Sequence, residues 1–197
     1  MIRKIINRIF SAKFPKFKKY TIYEKNLYEN LSHTYDTSKL KIIILKNISD
    51  FKKLIDEDYL IKIWDKKLFI NFLNNDCIGV CISIDKKLIQ ARWIATNNKS
   101  KKLVDPIPLS VDWKESAIWG NAMTHIHHRG QSLNKISYYE CSKLLVAIGK
   151  KNVIWTVQAK NFSNHKSYNI FNPKIIGFGY VISLIWFNFR YSRYIKK

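Results

Sequence analysis

Apolar and polar positions recur along this chain in patterns that mark out its elements one after another. Ile2, Ile5, Ile6, Ile9 and Phe10 fall at helical spacing among Arg3, Lys4, Arg8 and Lys13, which predicts a basic amphipathic helix ending before Pro15. The apolar run Lys41–Leu45 predicts a strand. Phe51, Leu54, Ile55 and Leu60 make one face of a helix over 48–64, capped by Asn47 or Ser49. Short apolar runs at 68–73 and 77–84 read as strands joined by a turn at Asn74, Asn75 and Asp76, and 88–95 reads as another. A polar loop over 96–102 and the stretch Asp105-Pro106-Ile107-Pro108 lead into the second half. That half reads as a strand over 117–125, a helix over 136–148 stopped by Gly149 and a buried strand over 153–159. A brief helix within 161–172, broken at Pro173, and β-structure over 175–194 complete it. An antiparallel first half followed by β-α-β-α-β predicts an α/β (α+β) domain on a mixed, mostly antiparallel sheet flanked by helices.

A chain of 197 residues fits one domain, placed over 41–197, behind a basic N-terminal extension over 1–40. Hydrophobic residues make up 47% of it, with 11 Phe, 11 Tyr and 6 Trp, which is enough core material to exclude a disordered chain. Trp113, Trp119, Trp155 and Trp186 at strand positions are read as core. Cys77, Cys81 and Cys141 form neither a disulfide framework nor a zinc-ligand spacing, so free thiols, no metal and a reducing, cytoplasmic setting are expected. Asn7 and Arg8 interrupt the first apolar run, which leaves no secretory core, and the longest apolar stretch, 175–189, is shorter than the roughly 18 residues a spanning helix needs.

Charge changes the picture more than composition does. The formal net charge is +21, and after Glu140 no Asp or Glu occurs at all. A surface of one sign concentrates anions and speeds their capture, so the last third is expected to face an anionic ligand. The lysines are dispersed, and no helix-turn-helix, RNA-binding or zinc motif is present, which argues against nucleic acid as the partner. Residues 1–20 would suit a peripheral membrane contact. A small molecule remains the expected partner, and no oligomeric state follows from the sequence.

The stretch from Thr124 to Asn134 carries the candidate chemistry. It lies between a predicted strand and a predicted helix, where free backbone N–H groups and the helix dipole together favour an anion. Gly130 permits a positive φ, and Arg129 adds a guanidinium suited to phosphate. Imidazole is the side chain suited to proton transfer near neutral pH, so His125, His127 and His128 are candidate bases, with Asp112 and Glu115 just upstream. In an extended strand His125 and His127 would share one face and Thr124 the other.

The order of an Arg-Gly loop, a helix, a strand, Asn164 with Ser167, and then Gly177-Phe178 resembles the GNAT superfamily of acyl-CoA-dependent N-acetyltransferases. Their pyrophosphate loop is written Q/R-x-x-G-x-G/A. Arg129 matches its first position, while Ser132 and Asn134 stand where glycine and Gly/Ala are usual. Both residues adopt tight turns and still offer backbone N–H groups. The resemblance implies a GNAT-like sheet with splayed parallel strands and acetyl-CoA (acyl-CoA) as co-substrate. It implies a diphosphate site at Arg129, Gly130, Gln131, Ser132, Leu133 and Asn134, supplemented by Asn161, Asn164 and Ser167. By the same resemblance, the backbone near Met123 and Thr124 binds the pantetheine arm between the strands at 117–125 and 153–159. The acidic tyrosine of the family falls on Tyr168 if Asn161 sets the register and on Phe171 if Asn164 does. The implied activity is acyl transfer to a primary amine, with an amino sugar of a surface-polysaccharide pathway as the expected acceptor and His125, His127 or Glu115 as the base.

Overall fold

A computed structural model describes residues 16–29, 38–61, 65–183 and 187–195. Among these residues a single nine-stranded sheet runs in the order β2-β4-β5-β6-β7-β1-β8-β9, with β3 beside β5. The strands are β1 (Lys16–Asn26), β2 (Lys41–Leu45), β3 (Leu60–Ile61), β4 (Ile78–Ile84), β5 (Lys87–Ala95), β6 (Ser116–Thr124), β7 (Asn152–Gln158), β8 (Lys174–Ser183) and β9 (Asn188–Tyr194). The helices are α1 (Ile48–Asp56), α2 (Lys66–Asn74), α3 (Asn98–Val104), α4 (Leu133–Ala147) and α5 (Phe162–Asn169). Most neighbouring pairs are antiparallel; β6 with β7 and β3 with β5 are parallel. The mixed, mostly antiparallel sheet flanked by helices is the architecture expected from the sequence.

Where the two differ, tertiary burial is the reason. The run at 68–73 is the helix α2, not a strand. Asp65 caps it by accepting the Lys67 N–H at 2.9 Å, and Phe69, Phe72 and Leu73 are buried at i, i+3 and i+4. Burying each of these side chains is worth roughly 1.5–3 kcal/mol. That exceeds the ~1 kcal/mol span of strand propensities. The hairpin expected at 74–76 forms instead at Asp85-Lys86, where φ values of +46° and +59° fit a two-residue primed turn between β4 and β5. The segment 96–102, expected as a loop, gives rise to α3, because Asn97 caps the Ser100 N–H at 2.9 Å and Ser100 and Val104 bury one face. Helix α1 stops at Asp56, eight residues early, at a turn with Asp58 at φ +62°.

The largest correction concerns the N-terminal extension. Residues 16–26 are not a lead-in to the domain but the strand β1, paired antiparallel with β7 on one side and β8 on the other. The predicted basic helix, which ends before Pro15, lies outside the described residues. Two large cores cover the faces of the sheet, and a smaller cluster of Ile82, Ile89, Leu133 and Ile136 packs at the start of α4. One holds Phe51, Phe69, Phe72 and Trp93 beneath α1, α2 and α3. The other holds Trp119, Tyr138, Trp155 and Tyr168 beneath α4 and α5. Cys77, Cys81 and Cys141 are free, buried thiols.

Candidate functional site

Strands β6 and β7 are partners for only three rungs, Ser116 with Asn152, Ala117 with Val153 and Ile118 with Ile154. Beyond Ile118, β6 stays with β5 and β7 stays with β1, so a slot opens between them. The local sequence explains the parting. Against β5, the register of β6 jumps between Met123 and Gly120, an extra residue that bulges the strand at Asn121, where φ is +43°. Gly120 lets the end of α3 press against the strand, since a Cβ built there would lie 2.3 Å from the Val104 carbonyl oxygen. The Asn121 side chain donates to the Leu103 carbonyl.

Asp105, the next residue after α3, completes this wedge. Its carboxylate accepts from the Ile107 N–H and the Thr156 hydroxyl, each at 2.8 Å, and from the Thr156 backbone N–H. The β7 amide that β6 no longer serves is thus satisfied by a side chain. Burial raises the Asp105 pKa to about 6 against these three stabilising hydrogen bonds and the Lys101 charge.

On the α4/α5 side the slot widens into a cleft of about 910 Å³. Ala122, Met123 and Thr124 of β6 form one wall, the turn through His128, Arg129 and Gly130 another, and the starts of α4 and α5 the rest. Two left-handed residues shape the turn, Gly130 at φ +81° and Ser132 at φ +57°. Ser132 begins α4 with no side-chain cap, and its carbonyl takes the N–H groups of Lys135 and Ile136. The N–H groups of Gly130, Gln131, Ser132, Leu133 and Asn134 have no acceptor among the described residues. Arg129, Lys135 and Lys166 add cations, and no acid lines the cleft. Unpaired amides at a helix N-terminus, with cations beside them, are the arrangement that favours an anion.

The fold itself matches solved structures. A tandem GNAT protein from the clavulanic acid biosynthesis pathway aligns with 88% of this chain and 55% of its own, at a TM-score of 0.57 and 10% identity. A GCN5-related N-acetyltransferase-like protein from Streptococcus suis aligns with 92% of this chain and 67% of its own, at 0.54 and 11% identity. This chain has the GNAT fold. A functionally unknown conserved protein from Staphylococcus epidermidis shares it, at a TM-score of 0.56 and 12% identity over 91% of this chain and 66% of that one. This chain thus spans between just over half and two thirds of the length of these GNAT-fold structures. No protein-family model and no curated protein matches the sequence.

Within this GNAT fold, Met123, Thr124, Arg129, Gly130, Ser132, Leu133, Asn134, Asn161, Asn164 and Ser167 come together around the cleft. Their roles divide. Leu133 is buried and anchors the start of α4. Asn161 caps α5 through the Asn164 N–H at 3.2 Å. Asn134 donates to the Ser167 hydroxyl at 2.8 Å, tying α4 to α5, so its side chain is already engaged while its backbone N–H is free. Arg129 is exposed and held only by a 3.4 Å bond from its Nε to the Thr124 carbonyl. Gln131 does not line the wall, and its side chain meets His128 Nδ1 at 3.2 Å.

The expected acid and bases are placed differently from what strand periodicity implied. Residues 126–128 form a 3-10 turn, so alternation ends at Thr124 and His125 and His127 are not strand neighbours. Their rings still lie 5.3 Å apart at centroid, and His125 Nδ1 is buried with no partner. Tyr168 is buried beneath α5, away from the cleft wall, and its hydroxyl accepts from Arg92 at 2.8 Å; it is not placed to hand a proton into the cleft. Glu115 precedes β6 at the end opposite the cleft, about 25 Å of strand from Met123. There it pairs with Lys151 at 2.8 Å, which removes it from the chemistry.

Sequence reasoning missed Arg92, Asp105, Lys135 and Lys166. Lys135 and Lys166 carried no signal beyond being two among many lysines. Arg92 did carry one, as a lone cation inside the apolar run 88–95, and Asp105 stood out only as the acid before Pro106.

Proposed function

We propose that this chain is an N-acyltransferase that moves an acyl group, in the simplest case acetyl, from coenzyme A to a primary amine. The observation that carries the reading is the row of five unpaired N–H groups from Gly130 to Asn134 at the mouth of a slot between two parting parallel strands. A diphosphate fits that row with Arg129, Lys135 and Lys166 around it, and an extended arm fits the slot, whose β6 edge beyond Ile118 has no strand partner. Ser132 and Asn134 in place of glycines do not remove the site, because the chain adopts the left-handed turn at Ser132 and keeps the amides free. Bound acyl-CoA supplies the activated acyl group.

The protein's own residues then orient and deprotonate. The amides and cations fix one end of the donor, and the slot excludes water from the other. An attacking ammonium must lose a proton. Two candidate acceptors lie beside β6 and β7 without lining the cleft wall: the Asp105 carboxylate, bonded to Thr156 of β7 and with a pKa of about 6, and the imidazole of His125, the residue after β6. The reading covers a primary amine; the amino sugar of a surface-polysaccharide pathway has no matching feature among the described residues.

Calorimetric titration with acetyl-CoA tests the proposal. Arg129→Ala should weaken binding about tenfold or more, as expected for loss of a charged hydrogen bond. Folding stability should stay within about 0.5 kcal/mol, because the side chain is exposed and makes one long bond. Absence of binding to the wild-type protein at millimolar acetyl-CoA refutes the reading.

A further inference from the structure

Arg92 lies in the middle of β5 and is fully buried. Its guanidinium is held by three neutral groups: Nε donates to the Ser137 hydroxyl at 3.1 Å, one terminal nitrogen to the Tyr168 hydroxyl at 2.8 Å, and the other to the Asn134 side-chain oxygen. The rings of Trp119 and Tyr168 lie 5.5 Å and 5.7 Å from it. Cys141 is nearby as a neutral thiol, its pKa pushed up to about 12 by burial. Among the described residues no Asp or Glu pairs with Arg92.

A guanidinium does not give up its proton inside a protein. A buried charge lacking an opposite charge is strongly unfavourable, and hydrogen bonds to neutral groups offset only part of the cost. The remainder calls for an anion close by. The network points to where that anion sits. Asn134, held by Arg92, is the second residue of α4 and offers one of the free N–H groups. Ser167, held by Asn134, lines the facing wall on α5. The guanidinium therefore lies directly behind the anion site, one side chain away, in a medium that screens it little.

We propose that Arg92 is the built-in counter-charge of this cleft and a positioning residue for its ligand. An oxyanion seated on the first amides of α4 balances the buried guanidinium. Through Asn134 and Tyr168, the same guanidinium holds α4 and α5 at the separation that anion needs. The identity of the anion as a diphosphate rests on the acyltransferase reading; the charge balance does not.

Thermal unfolding in low-salt, phosphate-free buffer, with inorganic pyrophosphate and with acetyl-CoA, tests this. At ligand about 100-fold above its dissociation constant, the wild-type midpoint should rise by about 5–10 °C. Arg92→Met, which fills the space without the charge, should unfold no earlier than wild type when no anion is present, and should lose most of the pyrophosphate-induced rise. Arg92→Lys, which keeps the charge and loses the three-way fork, should retain most of it. A purely structural arginine gives the opposite pattern, with Arg92→Met less stable without ligand and its ligand-induced rise intact; that result overturns the proposal. Should Arg92→Met fail to fold, the Arg92→Lys arm decides alone, and loss of its rise overturns the proposal equally. Stabilisation of the wild type by pyrophosphate but not by acetyl-CoA refutes the acyltransferase reading and leaves the counter-charge standing. Equal shifts by both ligands in wild type and Arg92→Met do the reverse.

Discussion

Replacing Asp105 by asparagine should remove a pH dependence that the wedge builds into the fold. The carboxylate is buried at the root of the slot, and its pKa rises from an ordinary 3.8 to about 6 because burial outweighs its hydrogen bonds to Ile107 and Thr156. A group that binds its proton more tightly when folded stabilises the protein while protonated. Its contribution is complete below about pH 4 and is lost as the pH climbs through 6. The full difference amounts to roughly 3 kcal/mol. Between pH 5 and pH 7.5 about 1 kcal/mol of it is lost. The Asp105→Asn protein has no such dependence at this position, since the introduced amide does not titrate; its oxygen accepts from Ile107, and the loss of an acceptor for the Thr156 backbone N–H costs the same at both pH values. Urea unfolding of both proteins at pH 5.0 and 7.5 reads the difference. With a slope of about 2 kcal/mol/M, the wild-type midpoint should drop by about 0.5 M relative to the variant as the pH rises. Every other group is common to the two proteins, so its pH dependence cancels in the comparison. A gap that stays flat, or one that favours the wild type at the higher pH, refutes the argument that desolvation dominates at this carboxylate.

Other outcomes follow from the same geometry. Gly120→Ala should destabilise by about 2–3 kcal/mol in denaturant titration, because the new methyl group meets the Val104 carbonyl 2.3 Å away and backbone, not a flexible side chain, must shift. Ser132→Gly should stabilise by about 1 kcal/mol in the same assay, since Ser132 sits at φ +57° and its hydroxyl makes no cap.

The Thr124–Asn134 stretch was readable because its signals are local. An Arg-Gly turn between an apolar strand and an amphipathic helix presents backbone amides whatever the rest of the chain does, and Met123, Thr124, Arg129, Gly130, Ser132, Leu133 and Asn134 lie around the cleft, while His125, His127 and Gln131 do not line it. The apolar runs at 77–84, 88–95 and 117–125 were likewise legible as strands and match Ile78–Ile84, Lys87–Ala95 and Ser116–Thr124 to within a residue. Helix α2 was not, since Leu-Phe-Ile-Asn-Phe-Leu suits either period until Phe69, Phe72 and Leu73 find a core to enter. The histidines misled because a 3-10 turn replaces strand alternation at His125.

What the sequence determined by itself is the class of fold, the positive charge and the position of the turn that leaves its backbone amides free, all carried by composition or by contacts within a few residues. Only the tertiary structure decided that β1 enters the sheet between β7 and β8, that Asp105 meets Thr156 51 residues away, and that Arg92 meets Tyr168 76 residues away. Such pairings depend on which distant segment supplies the missing hydrogen-bond partner or charge. One-dimensional spacing holds no record of that choice, because burial and electrostatics act through space.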